Sequence, residues 1–479
     1  MAKKTKKEAV SALNAADKII LIHLLQEQVC LLKDRNKRLE VRLKTLENKL
    51  SKNSSNSSKP PSSDKHNSGK KPKKTTSSRK KSGLKPGGQP GHKGHTLEMR
   101  SKPDEVITLP VDSCVDCHRS LKNTPAELEK RQVFEIPEPK IWVSEYQAQV
   151  KYCKHCDCTT VACFPEHVTH TAQYGPRAKG LMVYMTQYQL LPYKRASEFF
   201  KTIYNHRISE GTIVNAVNAL SNRLEHVEGE IKALLIKSNI AHADETGMNV
   251  NGDKQWLHTV GTKILTHYAI HKKRGRDGMD DIGILPKFNG TLIHDHWKSY
   301  YSYALRHGLC NSHHLRELRF IFENHSIKWA NKVSRLLIEI NEHKERLVAK
   351  KQVFTKQHIK DYSTRYDEIL SKAKWEQARK ATVESTNLLK RLKNFKDDVL
   401  LFMTDMDVPF TNNLSEQDIR MMKVKQKISG CFRHIDGGTA FCRIRSVIST
   451  AKKNKKNIFE ILQVAFQKRI SVDYLLTSS

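Results

Sequence analysis

The stretch "NIAHADETGMNV", residues 239–250, places two adjacent carboxylates, Asp244 and Glu245, behind the small apolar run Ile240-Ala241. The helical periodicity of the preceding residues stops at Ser238. From here "NIAHADETG" (239–247), "KQWLHTVGT" (254–262) and "THYAIHKK" (266–273) read as three strands, with "MNVNGDK" (248–254) carrying the first turn. "RGRDGMDDIGILPKF" (274–288) then reads as helix, and "GTLIHDHWKSY" (290–300) as a buried strand ending in Asp295. A meander, a crossover helix and a further strand predict an α/β sheet whose first two acids stand at neighbouring strand ends, where ligands of open α/β sheets gather. Alternation along the first strand sends Glu245 to the face opposite Asp244, as support for its neighbour or as a surface charge.

Composition says what such a sheet works on. The 479 residues suffice for two or three domains, and 84 Lys+Arg against 50 Asp+Glu leave a formal charge of +34 with pI near 9.7. An excess of this size points to a polyanion, because Lys and Arg displace counterions condensed on phosphate. The start "MAKKTKKEAV" is followed by no unbroken apolar core and no stretch has the length of a membrane span, so a cytoplasmic chain with no membrane partner is expected. In a reducing compartment, paired cysteines favour metal over disulfide.

The chain before the sheet divides into four parts. In residues 1–50, Ile22, Val29, Asn36, Leu43 and Leu50 recur every seven residues, with Leu25, Leu32, Leu39 and Leu46 three residues on from the first four. That is the a/d seam of a parallel two-stranded coiled coil, with Asn36 fixing register, and it predicts a homodimer or higher oligomer through residues 18–50. The alternative is one amphipathic helix packed on its own domain. Residues 51–100 carry 13 basic and 2 acidic residues among Ser, Pro and Gly, which predicts a disordered basic linker or an arm along DNA. Residues 101–168 hold "CVDC" (Cys114, Cys117) and "CKHC" (Cys153, Cys156), two knuckles able to supply four thiolates to a structural Zn²⁺, with Cys158 or Cys163 able to replace one ligand. Residues 169–237 read as helical. Within them the segment joined near Asn205–Ile208 is either a helix-turn-helix, with Ser209 capping its second helix, or a helical pair packed beneath the next domain.

The third acid comes late. "NNLSEQDIR" (412–420) puts Glu416 near the start of a helix, followed by Arg420, Lys423, Lys425, Lys427 and Arg433. Asn413-x-x-Glu416 is also the spacing of a capping box, in which the glutamate serves only backbone N–H groups. Asp244 alone could be a turn residue, and Asp295 a helix cap. The interval from Asp295 to Glu416 leaves room for a mostly helical insertion at about 316–404. Cys310-x-x-His313, with His314, has metal-ligand spacing, but two or three such residues at a strand–helix junction are more often structural.

Several of these stretches in this order resemble the insertion-sequence-66 family of DNA transposases over nearly the whole chain. They are "SSNSSKPPSSD", "KPGGQPGHKGH", the cysteine knuckles, "HADETGMNVNGDKQWLHTVGT", "HDHWKSYYSYALRHGLCNSHHLREL", "NNLSEQDIR", and "KQKISGCFR" through "FCRIRSVISTAKKN". Some members carry a Gly or small polar residue after the second aspartate, where this chain has His296-Trp297. The resemblance implies a ribonuclease-H-like catalytic domain at 238–460 with a helical insertion, followed by a C-terminal helical tail at 461–479. It further implies an Asp-Asp-Glu triad of Asp244, Asp295 and Glu416 holding Mg²⁺ (or Mn²⁺). Two such ions can activate the attacking oxygen and stabilise the leaving one in phosphodiester displacement. A DNA transposase of a bacterial insertion sequence is then expected, cutting transposon ends and joining them to target DNA, with small accessory proteins as further partners. Arg420, Lys423, Lys427, Arg433, Arg443 and Arg445 are the expected DNA contacts. Two other readings stand beside it: a zinc-containing dimeric DNA-binding regulator with an inactive nuclease-like domain, and a resolvase-like or general nuclease.

Overall fold

The structure, a computed structural model, describes residues 14–51, 91–94, 96–303 and 305–477; the side chains of 44, 45 and 48–51 lie outside that set. Most of the expected basic linker, residues 52–90, also lies outside the described residues. The described residues fall into two compact units, one holding 172–196 and 210–477 with the helix at 15–51, the other 96–171 and 197–209.

Helix α1 (Ala15–Ser51) covers the heptad region, and Ile22, Leu25, Val29, Leu32, Leu39, Leu43 and Leu46 are all exposed along it. In the second unit a short antiparallel hairpin, β1 (Val150–Cys153) with β2 (Cys158–Val161), sets Cys153 opposite Cys158. The helical stretch consists of α2 (Pro176–Val183), a single π-turn (Tyr184–Tyr188), α3 (Tyr193–Tyr204), α4 (Glu210–Arg223) and α5 (Glu225–Ile236). Pro176 stands in the first turn of α2, where its missing N–H costs nothing.

The core of the first unit is a mixed five-stranded sheet flanked by helices. Its strands are β3 (Ile240–Val250), β4 (Asp253–Gly261), β5 (Thr266–His271), β6 (Thr291–His294) and β7 (Arg306–Leu309), in the order β5-β4-β3-β6-β7. The first three are antiparallel, and β6 and β7 add in parallel after the crossover helix α6 (Arg276–Ile282). β3 runs to Val250, three residues past the expected strand, because the turn needs only Asn251 and Gly252. Both lie at positive φ, 49° and 87°, the mirror-image turn whose twist suits a two-residue hairpin. β6 can start beside β3 because residue 290 is glycine: a Cβ there would stand 2.4 Å from the Asn239 carbonyl oxygen, which accepts the Thr291 N–H at 2.8 Å.

Five helices then fill the interval before Glu416: α7 (Asn311–His325), α8 (Lys328–Ala349), α9 (Lys356–Lys380), α10 (Val383–Asn394) and α11 (Lys396–Thr404). They share an apolar core around Leu318, Trp329, Val333, Tyr366, Leu388 and Phe402, continuous with Ile293 and Leu309 of the sheet. α12 (Asn413–Ser429) and α13 (Ile435–Lys453) cover part of the sheet, with Met422, Phe441 and Cys442 packed on Met248, Leu257 and Tyr268. β5 is an edge strand, and α13 satisfies its backbone. Ser446 Oγ accepts the Tyr268 N–H at 2.9 Å, and Thr450 Oγ1 the Thr266 N–H at 3.1 Å. Two short helices, α14 (Ile458–Gln467) and α15 (Val472–Leu476), end the fold. Among the described residues no helix is long and apolar enough to cross a membrane.

Lys344 of α8 is buried, and its ammonium donates to the Phe402 and Val408 carbonyls at 2.8 and 2.6 Å, closing the end of α11. Lys344→Met leaves those carbonyls without their donor. It is expected to lower the free energy of unfolding in urea by about 1–3 kcal/mol, the usual cost of orphaned buried acceptors.

Candidate functional site

The parallel ladder between β3 and β6 runs from Ile240 opposite Thr291 to His242 opposite Ile293. Asp244 lies two residues beyond that ladder and Asp295 directly follows β6, so the two aspartates stand side by side past the end of the paired strands. Asp244 is mid-strand, however, and not at the end of β3, because β3 continues in its hairpin with β4, where Asp244 pairs with Thr259. Burial pushes the Asp244 carboxyl well above the usual carboxylate range, and the charges of Glu245, Asp295 and Glu416 push the same way. Its Oδ1 accepts the N–H of Glu245 at 2.9 Å. It also borders a narrow cavity whose wall includes Met279, Ile282, Ile284 and Leu285. Asp295 is likewise raised by burial, opposed by the Trp297 N–H that its Oδ1 accepts at 3.1 Å.

Glu245 is no surface charge. Its side chain is 1% exposed and accepts from Arg274 Nε and Nη2, at 2.9 and 2.5 Å, and from the Tyr300 hydroxyl at 2.5 Å. Arg274 in turn lies against the rings of Trp256 and Trp297, 4.9 and 4.2 Å from their centroids. Through that contact Trp297, beside the second aspartate, holds the cation that compensates Glu245. Nothing in the spacing of 245, 274 and 297 announces this group, which the crossover between β5 and β6 assembles.

Glu416 lies in the first turn of α12, but the capping box does not form. The N-cap is Asn412, and its side chain makes no bond to the helix. Instead Asn412 Nδ2 donates to the Ala243 carbonyl at 2.8 Å, its Oδ1 meets His242 Nδ1 at 2.9 Å, and its backbone N–H reaches Cys310 Sγ at 3.2 Å. With Asn412 as the N-cap, Glu416 is the fourth residue of α12 and not the third that a capping box requires, and it faces a different set of groups. Its Oε1 lies 3.8 Å from each of Cys310 Sγ, His313 Nδ1 and Arg316 Nη2.

That placement corrects the expected chemistry. Among the described residues, the His, Cys, Asp and Glu side chains that converge as a ligand set are Cys310, His313 and Glu416, whose ligand atoms lie within 4.8 Å of one another. Asp244 and Asp295 do not join them. The acids neighbour one another electrostatically, but the set that closes is Cys-His-Glu and not Asp-Asp-Glu. The thiol and imidazole suit softer metals than Mg²⁺, which prefers oxygen ligands. Metal-dependent DNA cleavage and strand transfer through Asp244, Asp295 and Glu416, and with them the activity of a working transposase enzyme, are therefore not supported.

The cysteine knuckles take compact forms. Around Cys114 the chain closes with the His118 N–H on the Cys114 carbonyl at 3.0 Å, and Cys153 ends β1 before the turn to β2. Backbone N–H groups of Cys117 and Asp116 hold the Cys114 thiol below its ordinary pKa, and those of Cys156 and His155 do the same for Cys153. Each knuckle thus eases loss of one thiol proton, but the two pairs do not form a converging ligand set among the described residues. Cys158 Sγ is turned to the Cys156 carbonyl at 3.3 Å, and Cys163 is an exposed free cysteine.

The basic residues separate into two groups. Arg420, Lys423, Lys427 and Arg433 are exposed or half-buried on α12 and the segment after it. Arg443 and Arg445 are not available to phosphate, which corrects the expectation for both. Arg443 is held by Glu228 and Glu225 at 2.6 and 3.1 Å, while Arg445 is 3% exposed, donates to the Gln187 carbonyl at 3.2 Å and lies over Tyr188.

His242, His258 and His296 are each pushed down to about 4, with burial the leading cause, so all three are neutral near pH 7. The unfolded chain takes up these protons near the ordinary histidine pKa of about 6.5 while the folded chain resists them. Stability is thus expected to fall as pH drops from 6.5 toward 4, seen as a falling melting temperature at pH 7, 6 and 5. A flat profile contradicts the neutral buried histidines. Asn412→Ala, which removes the partner of His242 and the donor to Ala243, is expected to cost about 1–3 kcal/mol in urea unfolding at pH 7.

Two family models match the chain. One, described as a family of unknown function, DUF6444, covers residues 6–98, and the other, described as the transposase IS66 family, covers residues 171–440. No curated protein matches. The second match takes in more than half of the 479 residues, and the protein belongs to the IS66 family of transposases.

Proposed function

We propose that this IS66-family protein acts as a zinc-containing, dimeric DNA-binding regulator whose nuclease-like domain does not hydrolyse DNA. The observation that carries the reading is the turn of Glu416 toward Cys310 and His313, away from a set shared with both aspartates. The strand order β5-β4-β3-β6-β7, antiparallel and then parallel, supports a ribonuclease-H-like domain. The charge of +34 supports a nucleic-acid partner, with transposon-end DNA the class its family suggests. Arg420, Lys423 and Lys427 follow one another at three and four residues along α12, on one helix face, and Arg433 extends the same basic run. The two knuckles, which do not converge among the described residues, would have to close on one ion to give the four thiolates of a structural zinc site, and the exposed leucine seam of α1 would supply the dimer contact.

Gel-shift titration of end-derived DNA across a salt series tests binding. Each of Arg420→Ala, Lys423→Ala and Lys427→Ala is expected to weaken binding to all sequences alike and to reduce the log–log salt slope by about 0.9. A cleavage assay with Mg²⁺ or Mn²⁺ tests the domain. Wild type and Asp244→Ala are expected to leave the DNA equally intact. Metal-dependent cutting that Asp244→Ala abolishes would overturn the proposal.

A further inference from the structure

We propose that Cys310, His313 and Glu416 form a three-ligand site for a borderline transition metal of the zinc class, with a fourth position open to water. The inference rests on the same turn of Glu416 that carries the regulator reading, but its test reads metal and not DNA. A tetrahedral zinc with bonds of about 2.0–2.3 Å separates its ligand atoms by roughly 3.5 Å. Here Sγ and Oε1, and Nδ1 and Oε1, are each 3.8 Å apart, and all three ligand atoms lie within 4.8 Å. Small side-chain shifts close them on an ion.

The local sequence prepares each ligand. Cys310 is the N-cap of α7 and His313 its third residue, so both project from one helical turn beside the positive end of the helix. Burial and the nearby Glu416 carboxylate push the free Cys310 thiol up to about 12, against the Asn412 N–H on its Sγ at 3.2 Å, so an ion binding here displaces the thiol proton. Glu416 comes from the first turn of a second helix, α12. Independently, His313 Nδ1 is buried and has no hydrogen-bond partner, a polar atom aimed at the carboxylate and the thiol without a bond to either. His314, one residue on, is not in the converging set, and its Nδ1 is engaged with Asn311 Oδ1 at 3.1 Å. Arg316, 3.8 Å from the same Glu416 oxygen, orients the carboxylate from outside the set. One thiolate and one carboxylate neutralise a divalent ion, and sulfur with nitrogen selects zinc or cobalt over magnesium.

The full chain, stripped by chelator and reloaded with Co²⁺, tests the site, because a cysteine–cobalt bond gives a near-ultraviolet charge-transfer band and tetrahedral cobalt a visible one. Spectra are compared for wild type, Cys310→Ser, His313→Gln and a Cys114→Ser/Cys153→Ser variant that removes knuckle ligands. Cys310→Ser and His313→Gln are each expected to lose one metal per chain and part of both bands, while the knuckle variant retains that ion. Circular dichroism confirms that each variant is folded, and His313→Gln, which keeps the thiol, serves if Cys310→Ser is not. Wild-type metal content in folded His313→Gln, or complete loss of metal in the knuckle variant, would overturn the site. Neither readout uses DNA, so failure here leaves the DNA-binding proposal standing.

Discussion

The central interaction of the first unit is made by Asn412. It is 1% exposed and joins three pieces of chain that are far apart in sequence: β3 through His242 and Ala243, the β7–α7 junction through Cys310, and α12, whose Glu416 N–H its backbone carbonyl accepts at 3.2 Å. An asparagine suits the place because its side chain offers both a donor and an acceptor without charge, where burial keeps the facing histidine neutral. An aspartate there could not donate to the Ala243 carbonyl. Its side chain is committed to β3 and does not cap α12, and Glu416, one turn on, faces Cys310 and His313.

The other charges of the sheet region follow the same logic. Glu245 is buried but compensated by Arg274 and Tyr300, and Asp418 by Lys453 at 2.8 Å and Thr266. Buried ion pairs of this kind stabilise little in net terms, yet removing one partner strands the other in a medium that cannot solvate it. The Asp418 group ties α12 and α13 to Thr266 of β5, and the Glu245 group ties β3 to the segments that carry Arg274 and Tyr300. Of the basic residues of α12, Lys423 also reaches the Gly247 carbonyl of β3 at 3.3 Å, while Arg420 and Lys427 are exposed, so one helix carries a structural charge at Asp418 and a basic row beside it.

Much of the sheet was legible in the residues. The Asn251-Gly252 turn and the strands around it predicted the meander, and the long interval between Asp295 and Glu416 left room for the helices found before Glu416. The side-by-side placement of Asp244 and Asp295 followed from reading each as part of a strand. Misreadings arose where a residue type admits two environments. Arg443 and Arg445 count as basic wherever they lie, but only the packing of α13 shows that acids and carbonyls inside the fold already hold them. Glu416 was visible as an acid at a helix start, and Cys310-x-x-His313 as a ligand pair, but no spacing connects residues about a hundred positions apart.

The sequence by itself determined the strand meander, the helical character of the insertion, the cysteine knuckles and the strong positive charge, because each follows from local periodicity or residue type. It also carried the family. Tertiary structure alone decided which groups share the end of the sheet. The direction of a carboxylate depends on what its neighbours already bond. Asn412 is held by β3 while the Glu416 side chain lies at the α7 turn, and those contacts between distant stretches of chain distinguish a Cys-His-Glu set from an Asp-Asp-Glu one.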